Sequence, residues 1–302
     1  MGNICVIGSI NMDLVIQTPR WPAPGETVSG EGFMTVPGGK GANQAIAAAR
    51  LGGTVRMLAR VGDDAFGTQL LDNLKASGVN CDDVQMVTET PSGVAVITVC
   101  AGENAIILDP GANYSLTPSD VRAFATRIRE ADMLLVQLEV PLSVVTEAVH
   151  VAFDVNTPVL LNPAPAVPLD HDLLQRVTVL TPNRGEAALL AGDTGVDSSV
   201  ESLIDRLHGF GVETVCMTEG AQGITYRHGG LDIEHRDAIS VDVVDTTAAG
   251  DVFSGALAVA LTEGALFEDA AAFAQKAAAI AVTRAGASSS IPYRAEVESF
   301  DA

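Results

Sequence analysis

The alternation of short apolar runs with longer helical segments, clearest from residue 133 onward, limits the fold more than any other feature of this sequence. Most of the apolar runs end in a polar or glycine-containing turn. Short continuous apolar runs are typical of strands buried on both faces of a parallel sheet, and the crossovers between parallel strands are usually helices. The sequence therefore predicts an α/β fold with a central, mostly parallel sheet flanked by helices.

The order of the predicted elements places the turns after the strands at one edge of that sheet, where open α/β folds bind ligands. The predicted strands are 4–7, 55–61, 133–138, 159–161, 177–180 and 214–217, and the predicted helices are 45–51, 65–77, 144–153, 200–210 and 252–261, with further helices beginning at Thr117 and Glu186.

Two stretches do not follow the alternation. The stretch at about 14–36 is interrupted by prolines and glycines and is too broken for a helix. The stretch at about 93–109 alternates apolar and polar residues around Gly102-Glu-Asn104, a pattern that predicts a hairpin. We expect the two stretches to form a small second sheet, a lid, on a single domain spanning 1–302.

Charge and composition exclude several classes of partner. The formal charge is −21 and the pI is about 4.4, which argues against nucleic acids and anionic membranes. No apolar run approaches the roughly 20 residues of a membrane helix, and no signal-peptide pattern opens the chain, so we expect a cytoplasmic protein. None of the four cysteines forms a C-x-x-C pair, which predicts free thiols and no zinc site.

The stretch 245–257 contains the strongest chemical signal. It carries two carboxylates, Asp245 and Asp251, and then becomes the apolar helix 252–261. Gly250 and Asp251 therefore lie near a helix N-terminus, where free N–H groups and the helix dipole favour an anion. A carboxylate there could take a proton from a hydroxyl that attacks a phosphoryl group. The alternative is an ordinary first-turn acid with Asp245 as a turn residue.

The glycine-rich stretch 37–44 precedes the helix 45–51 and would let backbone N–H groups approach a ligand. It matches neither a dinucleotide-binding nor a Walker A pattern, and the absence of G-x-G-x-x-G after the first strand argues against a nicotinamide dehydrogenase. A plain strand-to-helix loop with a solvated Lys40 is the alternative.

Eight motifs, in order along nearly the whole chain, resemble those of the ribokinase-like (pfkB) carbohydrate kinase family. They are Gly8-Ser-Ile-Asn-Met-Asp13, Pro24-Gly-Glu-Thr27, Gly38-Gly-Lys-Gly-Ala-Asn-Gln44, Gln137-Leu-Glu139, Leu161-Asn-Pro-Ala-Pro165, Thr181-Pro-Asn183 with Glu186, Asp245-Thr-Thr-Ala-Ala-Gly-Asp251 and Ala279-Ile-Ala-Val-Thr-Arg-Ala-Gly286. The resemblance implies a mostly parallel sheet with a β-sheet lid that covers the sugar and forms a homodimer contact.

The resemblance also implies roles for individual residues. The sugar would be held by Asn11, Asp13, Gly39, Lys40, Gly41, Asn43, Glu139 and Asp251. Asp251 would be the general base, with the N–H groups of Ala248, Ala249, Gly250 and Asp251 as an anion hole. ATP would contact Asn183, Thr218, Gly220, Gly223 and Gln275, and Glu186 would serve Mg²⁺. A monovalent cation, K⁺ by resemblance, would lie at Asp245, Thr247, Ala281, Arg284, Gly286 and Ser290.

The implied activity is ATP-dependent phosphorylation of the primary hydroxyl of a sugar, with D-ribose expected first. Deoxyribokinase, fructokinase-like and nucleoside kinase activities remain as alternatives, as does a non-catalytic sugar- or nucleotide-binding protein. The chain departs from the family pattern at Met12, Arg184, Val252, Ser254 and Gln275. These departures leave the identity of the sugar undecided.

Overall fold

The computed structural model describes residues 1–193 and 198–300. It is an α/β fold with one large, mostly parallel sheet flanked by helices and one small separate sheet, as the sequence predicts. The described strands are β1 Asn3–Ile7, β2 Asn11–Gln17, β3 Glu31–Gly38, β4 Thr54–Gly62, β5 Asn80–Val87, β6 Gly93–Cys100, β7 Glu103–Asp109, β8 Met133–Val136, β9 Val159–Leu161, β10 Val179–Leu180, β11 Thr214–Thr218, β12 Ile224–His228 and β13 Glu234–Arg236.

The large sheet has nine strands among the described residues, in the order β13-β12-β11-β10-β9-β8-β1-β4-β5. The strands from β11 to β5 are parallel, and β12 and β13 add an antiparallel edge. Because parallel neighbours end at the same edge, the turns after β1, β8, β9, β10 and β11 lie together.

Helices cover both faces of the large sheet. They are α1 Lys40–Arg50, α2 Ala65–Ala76, α3 Pro118–Glu130, α4 Leu142–Asp154, α5 His171–Leu174, α6 Arg184–Leu190, α7 Val200–Gly209, α8 Ala249–Thr262, α9 Phe267–Val282 and α10 Arg294–Glu298. One core contains α1, α2, α8 and α9, and the other contains α3, α4, α6 and α7. None of the described helices is long and apolar enough to cross a bilayer.

Strand β1 illustrates why the apolar runs form buried strands. Ile4 and Val6 belong to one core, and Cys5 and Ile7 belong to the other, so both faces of this strand are buried. Cys5, Cys100 and Cys216 are buried free thiols, which confirms the prediction for them.

The small sheet has the order β3-β2-β6-β7. Strand β2 pairs antiparallel with β3 and parallel with β6, and β6 and β7 form a hairpin. The ranges 11–17 and 31–38 extend beyond the predicted 14–36 at both ends.

Several predicted boundaries are wrong by two residues or more. Strand β10 begins at residue 179 rather than 177, and helices α4 and α6 begin at residues 142 and 184 rather than 144 and 186. Helix α1 begins at Lys40 rather than at residue 45, because Gly39, with φ 92°, ends the loop and the next residues are already helical. Strand β8 ends at Val136, two residues before the predicted end, and the Leu138 N–H donates to the Ala164 carbonyl oxygen outside the ladder.

Candidate active site

Polar residues follow five neighbouring parallel strands and meet the N-termini of α1 and α8 at one edge of the large sheet. They include Ser9 after β1, Gln137 and Glu139 after β8, Asn162 after β9, Thr181 and Asn183 after β10, and Thr218 at the end of β11. The structure therefore brings motifs that are far apart in sequence to one place.

Asp251 lies in the first turn of α8, and its side chain is buried. The helix begins after Ala248, which has a left-handed φ of 63°, a strained value for a non-glycine residue. The Ala249 N–H donates to the Thr246 carbonyl oxygen at 3.2 Å. In the described chain, the N–H groups of Gly250 and Asp251 have no backbone acceptor, so they remain available to an anion.

Both oxygens of the Asp251 carboxylate accept hydrogen bonds from the N-terminal half of α1. The Asn43 Nδ2 donates to Oδ2 at 3.0 Å, and the Gln44 Nε2 donates to Oδ1 at 3.1 Å. Asn43 belongs to the predicted sugar-binding set, so the structure connects that set directly to the predicted base. The Asn43 Oδ1 is buried and has no protein partner among the described residues, which leaves it free for a ligand hydroxyl.

Glu139 binds two further members of the predicted sugar set, Asn11 and Lys40, together with Ser9. Its Oε2 accepts from the Ser9 hydroxyl at 2.5 Å, from the Asn11 Nδ2 at 3.3 Å and from the Lys40 backbone N–H at 3.0 Å. Asn113 donates to the Asn11 Oδ1 at 2.7 Å and so fixes the orientation of that amide. Sequence reasoning missed Asn113, whose loop after the hairpin gave no chemical signal.

Asp13 is buried beside two other carboxylates. Burial, with the charges of Glu139 and Asp251, raises the pKa of Asp13 to about 7. Burial opposes charge on Lys40, yet the pKa of its ammonium is raised because four carboxylates surround it. These carboxylates are Asp251, Glu139, Glu186 and Asp13. Lys40 therefore lies among the carboxylates of the candidate site rather than alone in solvent.

Two cavities meet at the N-terminus of α8. The larger has a volume of about 600 Å³ and a largely apolar lining that includes Gly220, Gly223, Phe253 and Gln275. The smaller, about 250 Å³, is polar and is lined by Lys40, Asn162, Asn183, Glu186 and Asp251, among others. Thr218, Thr246, Ala249 and Gly250 line both. An apolar chamber joined to a polar one fits a nucleobase with a phosphate chain.

The predicted nucleotide loop lies between β11 and β12. The N–H groups of Thr218 and Gly223 are used by backbone carbonyls, and no such acceptor is present in the described chain for those of Gly220 and Ala221. The Gln275 Nε2 donates to the Asp237 carbonyl oxygen at 3.2 Å, and its Oε1 accepts from the Arg236 Nε at 3.2 Å. Gln275 thus holds the segment that closes the apolar chamber.

Asn183 and Glu186 form a capping box at the start of α6. The Asn183 N–H donates to Glu186 Oε2 at 2.8 Å, and its Nδ2 donates to Oε1 at 2.9 Å. Burial raises the pKa of Glu186. In the described chain no group of three or more His, Cys, Asp or Glu side chains could hold a metal by itself. The oxygens of Glu186 and Asn183 fit Mg²⁺ only together with phosphate oxygens and water, which is its usual arrangement.

The predicted cation residues come from two segments that meet. Asp245 Oδ2 accepts from the Gly286 N–H at 2.9 Å, and its Oδ1 accepts from the Thr247 N–H and hydroxyl. Partial burial opposes ionisation, but these bonds hold the pKa of Asp245 below its usual value. The Arg284 guanidinium pairs with Glu296. Oxygen-only donors suit a hard monovalent cation.

A buried carboxylate at a helix N-terminus, between a polyhydroxyl-binding set and a nucleotide-sized cavity, defines a phosphotransferase site on an α/β fold. Residues 1–294 match the pfkB family of carbohydrate kinases, and the chain belongs to that family.

Individual relatives agree with this assignment. A ribokinase of Bacillus subtilis is 44% identical over 298 residues, covering 99% of both chains. A deoxyribokinase of Salmonella typhi is 37% identical, covering 96% of this chain and 95% of that one. The solved structure of Arabidopsis thaliana ribokinase complexed with ribose and ATP is similar with a TM-score of 0.90 and 32% identity, covering 99% of both chains.

Proposed function

We propose that this protein transfers the γ-phosphate of ATP to the primary hydroxyl of D-ribose and yields ribose 5-phosphate. One observation carries the proposal: the Asp251 carboxylate is hydrogen-bonded to Asn43 of the sugar set and also lines the polar cavity with Asn183 and Glu186. The ribokinase relatives and the ribose and ATP complex of one of them support the choice of substrates.

The residues of the site have separate tasks in this reaction. Asp251 accepts the proton of the sugar hydroxyl as the oxygen attacks the phosphorus atom, which contributes about 10²–10⁴ in rate. The N–H groups of Gly250 and Asp251, with the dipole of α8, stabilise the negative charge that develops on the phosphoryl oxygens. Lys40 lies beside the same polar cavity and adds a positive charge.

Two cations complete the proposal. Mg²⁺ would be held by ATP phosphates with Glu186 and Asn183, and it would supply charge neutralisation when bound. A monovalent cation, K⁺ by family resemblance, would be held by Asp245, with carbonyl or hydroxyl oxygens of the residues Thr247, Ala281, Arg284, Gly286 and Ser290. A cytoplasmic location is also proposed.

An ADP-release assay with Mg²⁺, with and without K⁺, tests the function. The panel is D-ribose, 2-deoxyribose, fructose, adenosine and 5-deoxyribose, which lacks the reacting hydroxyl. We expect the highest kcat/KM with D-ribose, stimulation by K⁺ and no turnover with 5-deoxyribose. The deoxyribokinase relative makes 2-deoxyribose the second candidate. No sugar-dependent ADP from any member of the panel would overturn the proposal.

Asp13 makes sugar binding pH-dependent. Its pKa of about 7 in the free protein means that it is protonated below that pH. Sugar hydroxyls that donate to the carboxylate favour the ionised form, so KM for ribose should rise as pH falls below 7, by up to about tenfold per pH unit. Asp13→Asn should raise KM and remove this dependence. A wild-type KM that stays constant between pH 5 and 7 would contradict the prediction.

Asp13 also makes the stability of the sugar-free protein depend on pH. The folded state retains the Asp13 proton to about pH 7, whereas the unfolded chain loses it near pH 4. Asp13 therefore lowers the free energy of unfolding as pH rises through this window. Denaturant titrations at pH 4.5 and 7.5 should show a smaller decline in Asp13→Asn than in the wild type, and equal declines would contradict the assignment.

A homodimer through the small sheet is part of the proposal. This sheet exposes large apolar side chains, among them Phe33, Val96, Ile106 and Ile107, the last with 74% of its surface exposed. Apolar patches of this kind mark interaction sites. We expect Ile107→Lys to convert a dimer to a monomer in light scattering. Leu231→Lys, at an exposed position between β12 and β13, should leave the dimer intact. A dimeric Ile107→Lys would exclude this interface.

A further inference from the structure

A buried chain of three amide side chains leads from the core of the protein to Asp251. The Gln137 Nε2 donates to the Gln44 Oε1 at 2.6 Å, and the Gln44 Nε2 donates to Asp251 Oδ1 at 3.1 Å and to Asn162 Oδ1 at 3.3 Å. The Asn162 Nδ2 donates to the Thr181 carbonyl oxygen at 2.9 Å. Gln44 and Gln137 are completely buried. These side chains come from three separate motifs, and none of the three residues belongs to the sugar set or the nucleotide set.

The groups at the two ends of this series of amides determine the direction of every hydrogen bond in the series. The ionised Asp251 carboxylate and the Thr181 carbonyl can only accept. Asn162 must therefore turn its NH₂ group to Thr181, and Gln44 must turn its NH₂ group to Asp251 and Asn162. The Gln44 oxygen then faces Gln137, which can satisfy it only by donating.

We infer that Gln44 and Gln137 are a positioning pair that fixes the plane of the Asp251 carboxylate for proton abstraction; this inference rests on the proposed function. Gln44 holds Oδ1 from the core side, while Asn43 holds Oδ2. A carboxylate bound at both oxygens by rigid helix α1 cannot rotate about its last bond. Gln137 acts one step further away, because it keeps the Gln44 amide in the donating orientation.

Stability alone does not account for the arrangement. The Gln137 Oε1 is buried and has no hydrogen-bond partner in the described chain, an unfavourable state for a polar atom. A Cβ at residue 8 would lie 2.0 Å from this oxygen, so Gly8 is needed to accommodate the glutamine at all. An apolar side chain at 137 would avoid both constraints, but it would leave the Gln44 amide free to turn its oxygen toward Asp251.

Turnover of four variants tests the positioning pair. We expect Gln44→Met to lower kcat for ribose by about 10–100-fold, because small misplacements of a reacting group cost up to about 10² in rate. KM for ribose and for ATP should change by less than a factor of three. Gln137→Met should lower kcat less than Gln44→Met. The double variant should be no slower than Gln44→Met, since the pair acts as a unit. Gln137→Glu should be as slow as Gln44→Met, because a carboxylate forces the Gln44 amide to reverse.

If Gln44 had only a structural role, its loss would lower stability without lowering kcat, and a control variant shows what that outcome looks like. Thr157→Val removes another buried hydrogen bond, from the Thr157 hydroxyl to the Ile128 carbonyl, far from the site. We expect this control to lower Tm by about 2–4 °C and to leave kcat unchanged.

Crystal structures of the wild type and of Gln44→Met provide a readout that does not depend on turnover. We expect the Asp251 carboxylate plane to rotate by more than 30° in the variant. An unchanged plane, or a kcat within twofold of the wild type, would overturn the positioning pair. Failure of the wild type to phosphorylate any sugar would instead overturn the proposed function, and the crystallographic comparison would still decide the inference.

Discussion

Asp251→Asn is expected to lower kcat for ribose by about 10²–10⁴-fold while sugar binding persists. The amide keeps the size of the carboxylate and can still accept the hydrogen bond from Asn43, but it cannot take a proton from the hydroxyl. ADP release should fall by this factor, while the dissociation constant for ribose, measured by calorimetry, should not change. Together these results would show that Asp251 acts as the base.

The control for this variant is Asp242→Asn, which removes an exposed carboxylate a few residues upstream of α8. It should retain wild-type turnover, which separates the loss of the base from a change of one unit in net charge. An Asp251→Asn protein with wild-type kcat would show that another group takes the proton.

Gly39→Ala is expected to damage both the sugar site and the fold. Gly39 has φ 92°, and a Cβ there would lie 2.7 Å from the Asn11 backbone nitrogen and 2.9 Å from the Ile10 Cα. Strain at a positive φ costs about 1–3 kcal/mol and overpacking costs about as much again. We expect the free energy of unfolding to fall by about 2–5 kcal/mol, and KM for ribose to rise at least tenfold, because Asn11 must move.

Gly264→Ala is the matched control, since Gly264 also has a positive φ, 85°, but a Cβ there would meet open space. Its free energy of unfolding should fall by about 1 kcal/mol, the cost of backbone strain alone, and its KM for ribose should not change. If Gly39→Ala binds ribose as tightly as the wild type, the close approach of these two loops is not needed for the sugar site.

The sequence was sufficient for the parts of the fold that repeat a simple pattern. Continuous apolar runs such as 4–7 and 159–161 form strands because both faces of the sheet are covered by helices. No prediction covered β5, because Asn80–Val87 is a polar edge strand without such a run. The start of α1 was missed because its glycines resemble a loop, whereas Gly41 lies in the helix so that the backbone of Ser9 can approach.

The sequence was enough to predict which motifs form the candidate site, but not which side chains contact each other within it. Asp251 stands out as a carboxylate just before an apolar helix, and Glu139 stands out as a polar group just after an apolar run. The residues that orient the site are Gln44, which binds Asp251, and Asn113, which binds Asn11. Both are distant in sequence from their partners, and their positions depend on how α1 and the loop after β7 pack. Spacing along the chain carries no information about such contacts, so their roles emerge only from the fold.

The position of the phosphate in the product tests the central claim most directly. Ribose labelled with ¹³C at its primary carbon, incubated with ATP and Mg²⁺, should give a product in which that carbon is coupled to phosphorus in the NMR spectrum. We expect this coupling for the wild type and its loss in Asp251→Asn. A phosphate on the anomeric oxygen, or ADP release without a phosphorylated sugar, would contradict it.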